Sequence, residues 1–401
     1  MEKVKAEVVT HYRSELVEHI HANGCTFAHG STGIRLAKEF GFCYGVERAI
    51  DLAYAARRHF PREQPVYILG EIIHNPHVNE QIRDMGVTFL SGTYKAADID
   101  DLGKGDPVVI PAFGTEIGIT DKLNERGCTI IDATCGDVMS VWKRVRQNAR
   151  EQVTSIIHGK AWHEETKATS SQAKSFVSGH YLVVFDLDET DQVCQYITQG
   201  GDRAKFLQKF KDAMSNGFDP DQHLDAIGLA NQTTMLRGET EEVQRRLRKA
   251  MLEKHGANAL GEHFRFFDTI CGATQDRQDA LRDLLSRPMD LLLVVGGYNS
   301  SNTSHLAEMG EGKLPTYFIK DASEMVSVER LHHFLQHTHE MAKTENWLPL
   351  NGELTIGITA GASCPNNLIE KVILRAYELR GVPASKVLGS IHVDAAGAAA
   401  D

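Results

Sequence analysis

The stretch Thr129-Ile130-Ile131-Asp132-Ala133-Thr134-Cys135-Gly136-Asp137-Val138 joins two local patterns that together indicate an α/β protein. Its first three residues are β-branched, which is typical of a buried strand, and from Asp137 onward apolar residues recur at helical spacing. Cys135 therefore lies where a strand leads into a helix, near unpaired backbone N–H groups and the positive end of the helix dipole. This position stabilises a thiolate and favours negative charge.

The same order of strand, cysteine, glycine and helix is predicted at two other places. Residues 34–42 lead to Cys43 and residues 264–270 lead to Cys271, each with a glycine within two residues and a helical pattern behind it. A single buried cysteine is more often a small hydrophobic residue than a ligand. Three cysteines in one context instead favour a shared ligand, and three thiolates suit an iron–sulfur cluster with one iron open to substrate. The remaining cysteines are expected to pack in the interior: Cys25, Cys128, Cys194 and Cys364.

Short apolar runs that end in small or polar turns recur along the chain, for example at residues 108–110, 291–295 and 354–359. This alternation with helical patterns predicts an α/β fold with mostly parallel sheets, in which ligands bind at the carboxyl ends of the strands. Each of the three cysteines is followed by at least two such units, so we expect three similar α/β domains facing a common centre. The expected boundaries are a helical extension at 1–34, domains at 35–134, 135–270 (with an insertion near 186–225) and 271–392, and a tail at 393–401.

The extension is predicted to be one amphipathic helix over residues 1–24, with Val9, Tyr12, Leu16 and Ile20 on its apolar face. The insertion is predicted to hold a helix from about residue 202 to residue 214. The alanine- and glycine-rich tail after Asp394 is expected to be frayed.

Composition restricts the function classes. The chain of 401 residues carries 43 basic and 54 acidic side chains, a net charge of 43 − 54 = −11, which disfavours a nucleic-acid partner. The sequence has no run of 18 apolar residues, so no membrane span is predicted. The first residues lack the apolar core of a signal peptide. Seven cysteines, an odd number, favour a reducing compartment. We therefore expect a cytoplasmic protein without a membrane partner.

Polar side chains that could bind a polyanion lie at predicted strand ends or helix starts: His74, His163, Ser300, Ser301, Asn302 and Ser363. Taken singly, serine and asparagine there are also ordinary helix caps, and a single histidine is more often structural. Their recurrence across three domains favours an anion site. Beside His163, a carboxylate of Glu164 or Glu165 could move protons or could belong to a solvated helix face.

Three familiar motifs fail. The segment His163-Glu164-Glu165-Thr166-Lys167 has a lysine where a zinc-protease helix needs its second histidine. The segment around Gly312-Lys313-Leu314 lacks both the leading glycine and the Ser/Thr of a P-loop, and no GxGxxG follows a strand. A zinc hydrolase with Cys and His ligands and an iron–sulfur sensor that binds a partner stay as alternatives.

The motifs resemble the LytB family of hydroxymethylbutenyl diphosphate reductases. The matching segments follow the family's order from residue 35 to residue 380 and lie at 41–49, 73–75, 132–135, 163–165, 232–234, 271–278, 299–302 and 360–363. The resemblance implies three α/β domains around one [4Fe–4S] cluster per subunit, held by Cys43, Cys135 and Cys271, with one iron open to the substrate's hydroxyl group.

The resemblance also implies the roles of the other site residues and the reaction. The diphosphate would be bound by His74, His163, Ser300, Ser301, Asn302 and Ser363. Glu165 would deliver a proton, and Thr233 would lie near the substrate hydroxyl. The implied reaction is the reductive dehydroxylation of 4-hydroxy-3-methylbut-2-enyl diphosphate to isopentenyl diphosphate and dimethylallyl diphosphate, the last step of the non-mevalonate isoprenoid pathway. Ferredoxin or flavodoxin would donate the electrons.

One departure from the family concerns the Ala112-Phe113-Gly114 turn, where many bacterial members have a second diphosphate-binding histidine. A phenylalanine cannot donate a hydrogen bond to a phosphate. The chain resembles the longer plant- and cyanobacterium-like branch in this turn, in its extension and at residues 155–160. We therefore expect a rearranged anion site that uses Lys160 or His158.

Overall fold

The computed structural model describes residues 2–397, with side chains up to residue 391. Its strands, numbered along the chain, are β1 (Thr26–His29), β2 (Thr32–Leu36), β3 (Val66–Ile68), β4 (Val87–Phe89), β5 (Pro107–Ile110), β6 (Thr129–Asp132), β7 (Thr154–His158), β8 (Tyr181–Val184), β9 (Ile227–Asn231), β10 (Phe264–Phe266), β11 (Leu291–Val295), β12 (Thr316–Ile319), β13 (Met325–Ser327), β14 (Arg330–Leu335), β15 (Glu340–Glu345) and β16 (Leu354–Ala360).

The α-helices are α1 (Glu2–Tyr12), α2 (Glu15–Ala22), α3 (Tyr44–His59), α4 (Pro76–Asp84), α5 (Ile117–Glu125), α6 (Gly136–Arg150), α7 (Glu164–Ser171), α8 (Leu187–Gln199), α9 (Arg203–Lys209), α10 (Pro220–His223), α11 (Arg237–His263), α12 (Gly272–Leu285), α13 (Ser301–Glu311), α14 (Asn366–Leu379) and α15 (Ala384–Gly397). The last helix extends into the predicted tail, so fraying from Asp394 onward is not observed up to Gly397. Residues 398–401 lie outside the described residues.

The chain forms two compact units. Unit 1 contains the described residues up to Ala55, Ile73–Ile82 and the residues from Ala273 onward, and unit 2 contains Ala56–Ile72 and Arg83–Gly272. Each of the three sheets falls mainly within one of the three predicted domains, but β1 and β2 join the sheet of the third. The α/β class with mostly parallel sheets is confirmed.

The sheet of unit 1 has the strand order β1-β2-β16-β11-β12-β14-β13, with β15 paired to β14. Its centre is parallel, from β2 through β16 and β11 to β12. The strands from β13 to β15 are antiparallel additions that the alternation of strands and helices did not predict. A continuous apolar core, including Ile34, Leu293, Ile356 and Val372, stabilises this unit.

The N-terminal extension differs from the prediction. It forms two helices, because Ser14 leaves the helical conformation and its hydroxyl accepts a hydrogen bond from Val17 N at 3.0 Å, which starts α2. Val9 is 48 % exposed, so its placement on the buried face was wrong, whereas Tyr12, Leu16 and Ile20 are buried. Its predicted end at residue 34 falls inside β2, which pairs with β16, so the extension supplies part of the sheet.

Unit 2 contains two parallel sheets, with strand orders β4-β3-β5-β6 and β10-β9-β7-β8. The segment predicted to be an insertion, 186–225, folds into α8, α9 and α10, and contributes Val193, Phe206 and Phe218 to the apolar core beside the second sheet. Its predicted helix over 202–214 is shorter and ends at Lys209.

Two of the strands predicted to lead to a cysteine are shorter than expected. The strand predicted over 34–42 ends at Leu36, and the one predicted over 264–270 ends at Phe266, so Cys43 and Cys271 each follow a loop. No helix in the described part of the chain is long and apolar enough to span a membrane.

Candidate active site

Cys43, Cys135 and Cys271, which we call the helix-start cysteines, directly precede α3, α6 and α12. Cys135 is the N-cap residue of α6 with an extended backbone, and its thiol makes no capping hydrogen bond. All three are partly exposed. A thiol at a helix N-terminus is stabilised as a thiolate by the dipole, which is the form that binds metals.

The other four cysteines have a different environment. Cys25 and Cys364 are buried, and burial raises the pKa of both thiols. Burial also raises the pKa of the Cys128 thiol, and it raises that of Cys194 to about 12. These thiols therefore stay protonated at neutral pH. Cys25 and Cys364 lie in the interior, whereas Cys128 and Cys194 are partly exposed.

In unit 2, two hydrogen bonds connect a buried carboxylate to a helix-start cysteine. Glu165, only 4 % exposed, accepts a hydrogen bond from Thr233 N at its Oε1 atom over 2.6 Å. The carbonyl oxygen of Thr233 accepts a hydrogen bond from Cys271 N at 3.1 Å. A proton on this carboxyl group therefore resides on Oε2, because Oε1 acts as an acceptor. The sequence pattern left open whether Glu164 or Glu165 could move protons, and the structure shows that the Glu164 side chain is exposed.

The N-cap residue of α7 is His163, whose Nδ1 atom accepts a hydrogen bond from Glu165 N at 3.1 Å. An imidazole that accepts at Nδ1 carries its proton on Nε2. The ring, buried to 8 % exposure, can therefore act as a neutral Nε2–H donor. This arrangement fixes both His163 and the start of the helix that carries Glu165.

The turn with Phe113 lies beside this histidine. The ring of Phe113 meets that of His163 edge to face, with the centroids 6.4 Å apart. Gly114 has a positive φ of 80°, and a Cβ atom there would overlap the indole of Trp142. The turn is also held from Cys135, whose N–H donates to Ala112 O at 2.8 Å. The phenylalanine therefore occupies a tightly constrained position.

Of the two residues expected to replace the missing histidine, His158 does not suit an anion. It is fully buried in β7, with Nδ1 2.9 Å from the Thr240 hydroxyl and Nε2 3.9 Å from a carboxylate oxygen of Glu239. A neighbouring carboxylate repels a phosphate. Lys160 is half-buried and donates its backbone N–H to Gln232 Oε1 at 3.1 Å, so it stays the candidate of the two.

In unit 1, the predicted anion-binding side chains come together because β11 and β16 are parallel neighbours, with Val295 opposite Ala360. Ser363 donates its hydroxyl to His74 O at 3.2 Å and lies 3.4 Å from the Ser300 hydroxyl. The side-chain oxygen of Asn302 accepts from Ala362 N at 2.9 Å. The turn is connected to a helix-start cysteine as well, because Cys43 N donates to Ala362 O at 3.3 Å.

Two glycines permit this close approach. A Cβ atom at Gly361 would overlap the Thr303 hydroxyl, and one at Gly297 would overlap the carbonyl oxygen of His74. Ser300 caps α13, and the hydroxyl of Ser301 is buried without a hydrogen-bond partner among the residues that the structure describes. A hydroxyl donor beside a helix N-terminus is an arrangement that can bind an anion.

Two supporting residues were missing from the predicted site. The buried amide of Gln232 accepts from Lys160 N and the Thr166 hydroxyl, both at 3.1 Å, and so connects the loop before α7, α7 itself and the Thr233 turn. In unit 1, the buried guanidinium of Arg277 donates to Gly41 O at 2.6 Å and holds the loop before Cys43. The motifs that contain Gln232 and Arg277 were recognised in the sequence. Their contacts join segments that are far apart in the chain, so no local sequence pattern predicted them.

Fold and site together define a class of α/β proteins that place cysteines directly before helices and polar side chains at the carboxyl ends of strands. The chain belongs to the LytB family, because the model of the LytB protein family matches residues 34–376. LytB proteins are iron–sulfur enzymes.

The relatives are similar over nearly their whole length. The 4-hydroxy-3-methylbut-2-enyl diphosphate reductase of Thermosynechococcus vestitus is 48% identical over 95% of this chain and 93% of the relative. The enzyme of the same name from Gloeobacter violaceus is 46% identical over 97% and 93%. These similarities confirm the resemblance to the LytB family that the sequence motifs indicated, including the resemblance to its cyanobacterial members.

Two solved structures share the fold. The E-1-hydroxy-2-methyl-but-2-enyl-4-diphosphate reductase from Plasmodium falciparum aligns with a TM-score of 0.63 at 21% identity, over 87% of this chain and 90% of that chain. A second structure, of (E)-4-hydroxy-3-methyl-but-2-enyl diphosphate reductase, the terminal enzyme of the non-mevalonate pathway, aligns with a TM-score of 0.52 at 26% identity, over 87% and 100%.

Proposed function

We propose that the chain catalyses the reductive dehydroxylation of 4-hydroxy-3-methylbut-2-enyl diphosphate. The substrate takes up two electrons and two protons, its C–O bond breaks, and water leaves, which gives isopentenyl diphosphate or dimethylallyl diphosphate. The observation that carries the proposal is the 48% identity over 95% of the chain to a relative named for this reaction. The local environments of the site residues support their individual roles.

The helix-start cysteines are the residues that would hold one [4Fe–4S] cluster, with one iron left open to substrate. Their fit rests on the donor set: three thiols that directly precede helices, in contrast to four thiols whose pKa is raised by burial. Thiolates are the ligands that such clusters favour. When bound, the cluster supplies the two electrons one at a time and a Lewis-acid site for the hydroxyl oxygen.

The diphosphate-binding role falls to the donors described above: His74, His163, Ser300, Ser301, Asn302 and Ser363. In unit 1, the buried Ser301 hydroxyl and the N-terminus of α13 supply donors and a positive field. In unit 2, His163 supplies a neutral Nε2–H donor, because its Nδ1 atom is bound to Glu165 N. The serine hydroxyls, the Asn302 amide and a neutral His163 can each donate to an anion without a change of protonation state.

Glu165 is the proposed proton donor. Thr233 N donates to its Oε1 atom at 2.6 Å, so a proton on this buried carboxyl group would sit on Oε2. Thr233 would contact the substrate hydroxyl. Because its backbone is hydrogen-bonded to both Glu165 and Cys271, Thr233 would fix the position of the proton donor relative to one of the thiol ligands.

The electrons would come from ferredoxin or flavodoxin. The cytoplasmic location and the three-domain division at 35–134, 135–270 and 271–392 stay predictions.

The test is an anaerobic turnover assay on tag-free protein reconstituted with iron and sulfide. With a chemically reduced one-electron donor, we expect both isoprenoid diphosphates, and a protein with Cys135→Ser should form neither. About four iron and four sulfide ions per chain would agree with a [4Fe–4S] cluster, whereas zinc without sulfide would favour the alternative of a zinc hydrolase. Iron-loaded protein that binds the diphosphate but forms neither product would refute the proposal.

A further inference from the structure

A second group of ligand-type side chains lies in unit 2 and is formed by Asp225, His255 and His263. His255 Nε2 lies 3.7 Å from Asp225 Oδ1, and His263 Nδ1 lies 3.3 Å from Asp225 Oδ2. The two imidazole rings are stacked, with their centroids 3.7 Å apart and their planes 9° from parallel. None of these residues belongs to the proposed active site.

A break in α11 creates this arrangement. Gly256 has φ 78° and ψ 168°, which is not helical and is readily adopted only by glycine. In an unbroken helix, residues 255 and 263 would lie about 12 Å apart along the axis, so their rings could not stack. The break changes the direction of the chain directly after His255, and His263 lies beside it. The geometry therefore depends on one glycine at one position.

Hydrogen bonds and ion pairs explain the group only in part. His263 Nδ1 lies 2.8 Å from the backbone oxygen of Asp225, and Lys254 Nζ lies 3.5 Å from Asp225 Oδ1. His255 Nε2 is buried, however, and makes no hydrogen bond of normal geometry among the residues that the structure describes. Its 3.7 Å separation from the carboxylate is too long for a hydrogen bond. An atom placed between them would satisfy both.

We propose that Asp225, His255 and His263 form a binding site for a divalent transition metal of the zinc type. Imidazole and carboxylate are ligands that zinc accepts, and water commonly completes a site with three protein ligands. Ligands about 2.0–2.1 Å from zinc at tetrahedral angles are about 3.3–3.4 Å apart. The 3.3 and 3.7 Å separations run from the two histidine nitrogens to the two different oxygens of the Asp225 carboxylate, and each is close to this value. Because the lone pairs lie in the ring planes, the two imidazoles must rotate out of their stack before both nitrogens can coordinate one ion.

Two groups must yield when the metal binds. His263 Nδ1 must release the backbone oxygen of Asp225, and the Lys254 ammonium must leave the carboxylate. The lysine side chain is 30% exposed and the Asp225 side chain 53% exposed, so water can replace the ammonium at little cost. The open side of the carboxylate also gives the ion an entry path.

The ion would act as a structural clip. Asp225 lies two residues before β9, and His263 directly precedes β10, whose first residue pairs with the first residue of β9. These two strands lead to Thr233 and Cys271. A metal at Asp225 and His263 would therefore fix the amino ends of the strands that carry these residues. This inference does not depend on the proposed reaction.

Tag-free protein with its iron site reconstituted is titrated with zinc chloride, and bound metals are counted after gel filtration. We expect one zinc per chain beyond the iron and a higher melting temperature. Zinc-edge X-ray absorption should give N/O neighbours at about 2.0–2.1 Å, whereas zinc bound to cysteines would show sulfur at about 2.3 Å.

The variants Asp225→Asn and His255→Gln should lower zinc affinity more than about 100-fold, since even outer-shell partners cost about 10- to 100-fold. The matched control is His223→Gln, because His180 and His223 also stack, at 3.6 Å, without belonging to a three-ligand group among the described residues. This control should bind zinc normally. Wild-type protein that retains no extra zinc, a sulfur-ligated zinc, or unchanged binding in both site variants would each overturn the proposal.

Discussion

Replacing Glu165 by glutamine tests the proton-delivery role most directly, because it removes the titrating group and keeps the shape. The glutamine side-chain oxygen can still accept from Thr233 N, the hydrogen bond that Glu165 makes at 2.6 Å. The link from Thr233 to Cys271 should therefore persist. Exchanging a charge-assisted acceptor for a neutral one costs about 1 kcal/mol of stability.

The expected loss in turnover is much larger than that structural cost. General acid catalysis contributes about 10²- to 10⁴-fold, equivalent to about 3–5 kcal/mol in the activation barrier. We therefore expect kcat of Glu165→Gln to fall by this factor, with KM changed only a few-fold and iron content unchanged. Steady-state assays with a chemical reductant and metal analysis measure these quantities.

Two controls separate proton delivery from positioning. Glu164→Gln changes an exposed neighbour in the same helix and should keep nearly full activity. Glu165→Ala removes the acceptor and leaves the buried Thr233 N–H unpaired, which should cost about 1–3 kcal/mol and lower the melting temperature. If Glu165→Gln kept half of its turnover, or Glu164→Gln lost as much, the assignment of Glu165 would be wrong.

Three further predictions use other parts of the chain. Serine at any helix-start cysteine should abolish iron binding and the visible absorption, while serine at any of the other four cysteines should retain both; full iron in Cys135→Ser would contradict this. Ser363→Ala or Asn302→Ala should raise KM about ten- to a hundredfold, the effect of losing one charge-assisted hydrogen bond. Phe113→His should change KM little. A tenfold lower KM in Phe113→His together with an unchanged KM in Ser363→Ala would contradict a rearranged anion site. Burial lowers the pKa of His180 and of His223, where His180 adds to the effect; such residues contribute stability above the unfolded pKa of about 6.5 that is lost as the pH falls below it. His223→Gln should therefore flatten the fall in melting temperature below about pH 6.5, and an unchanged slope would show that this pair does not control it.

Local patterns were enough to predict the helix starts at the three cysteines. A glycine next to the cysteine and apolar residues at helical spacing are encoded within a few positions, as in Val138, Val141 and Val145 of α6. The grouping of Ser300, Asn302 and Ser363 was also predictable, because parallel neighbouring strands bring their carboxyl ends to one edge.

Contacts between distant segments could not be read from the sequence. Arg277 reaches Gly41 across 236 positions, and β2 pairs with β16 although two complete sheets and the strands β11 to β15 lie between them in the chain. Apolar periodicity placed Val9 on a buried face, but the break at Ser14 separates α1 from α2, and Val9 ends up 48 % exposed. These outcomes depend on which surfaces meet, and hydrophobic spacing alone does not specify the partner.

The shortened strand before Cys271 shows why sequence patterns fail close to the site. The run 264–270 looks like a strand, and Phe267 N still donates to Leu229 O at 3.2 Å. Further along, the side-chain hydroxyl of Thr269, instead of a backbone group, accepts from Asn231 N at 2.9 Å and donates to Asn231 O at 3.3 Å. This exchange ends the regular ladder and lets Cys271 N reach Thr233 O. A regular strand through residue 270 would pair its backbone groups with those of Asn231. The Thr269 side chain takes their place, and this irregular end of β10 allows the backbone of Cys271 to contact Thr233, the residue that binds Glu165.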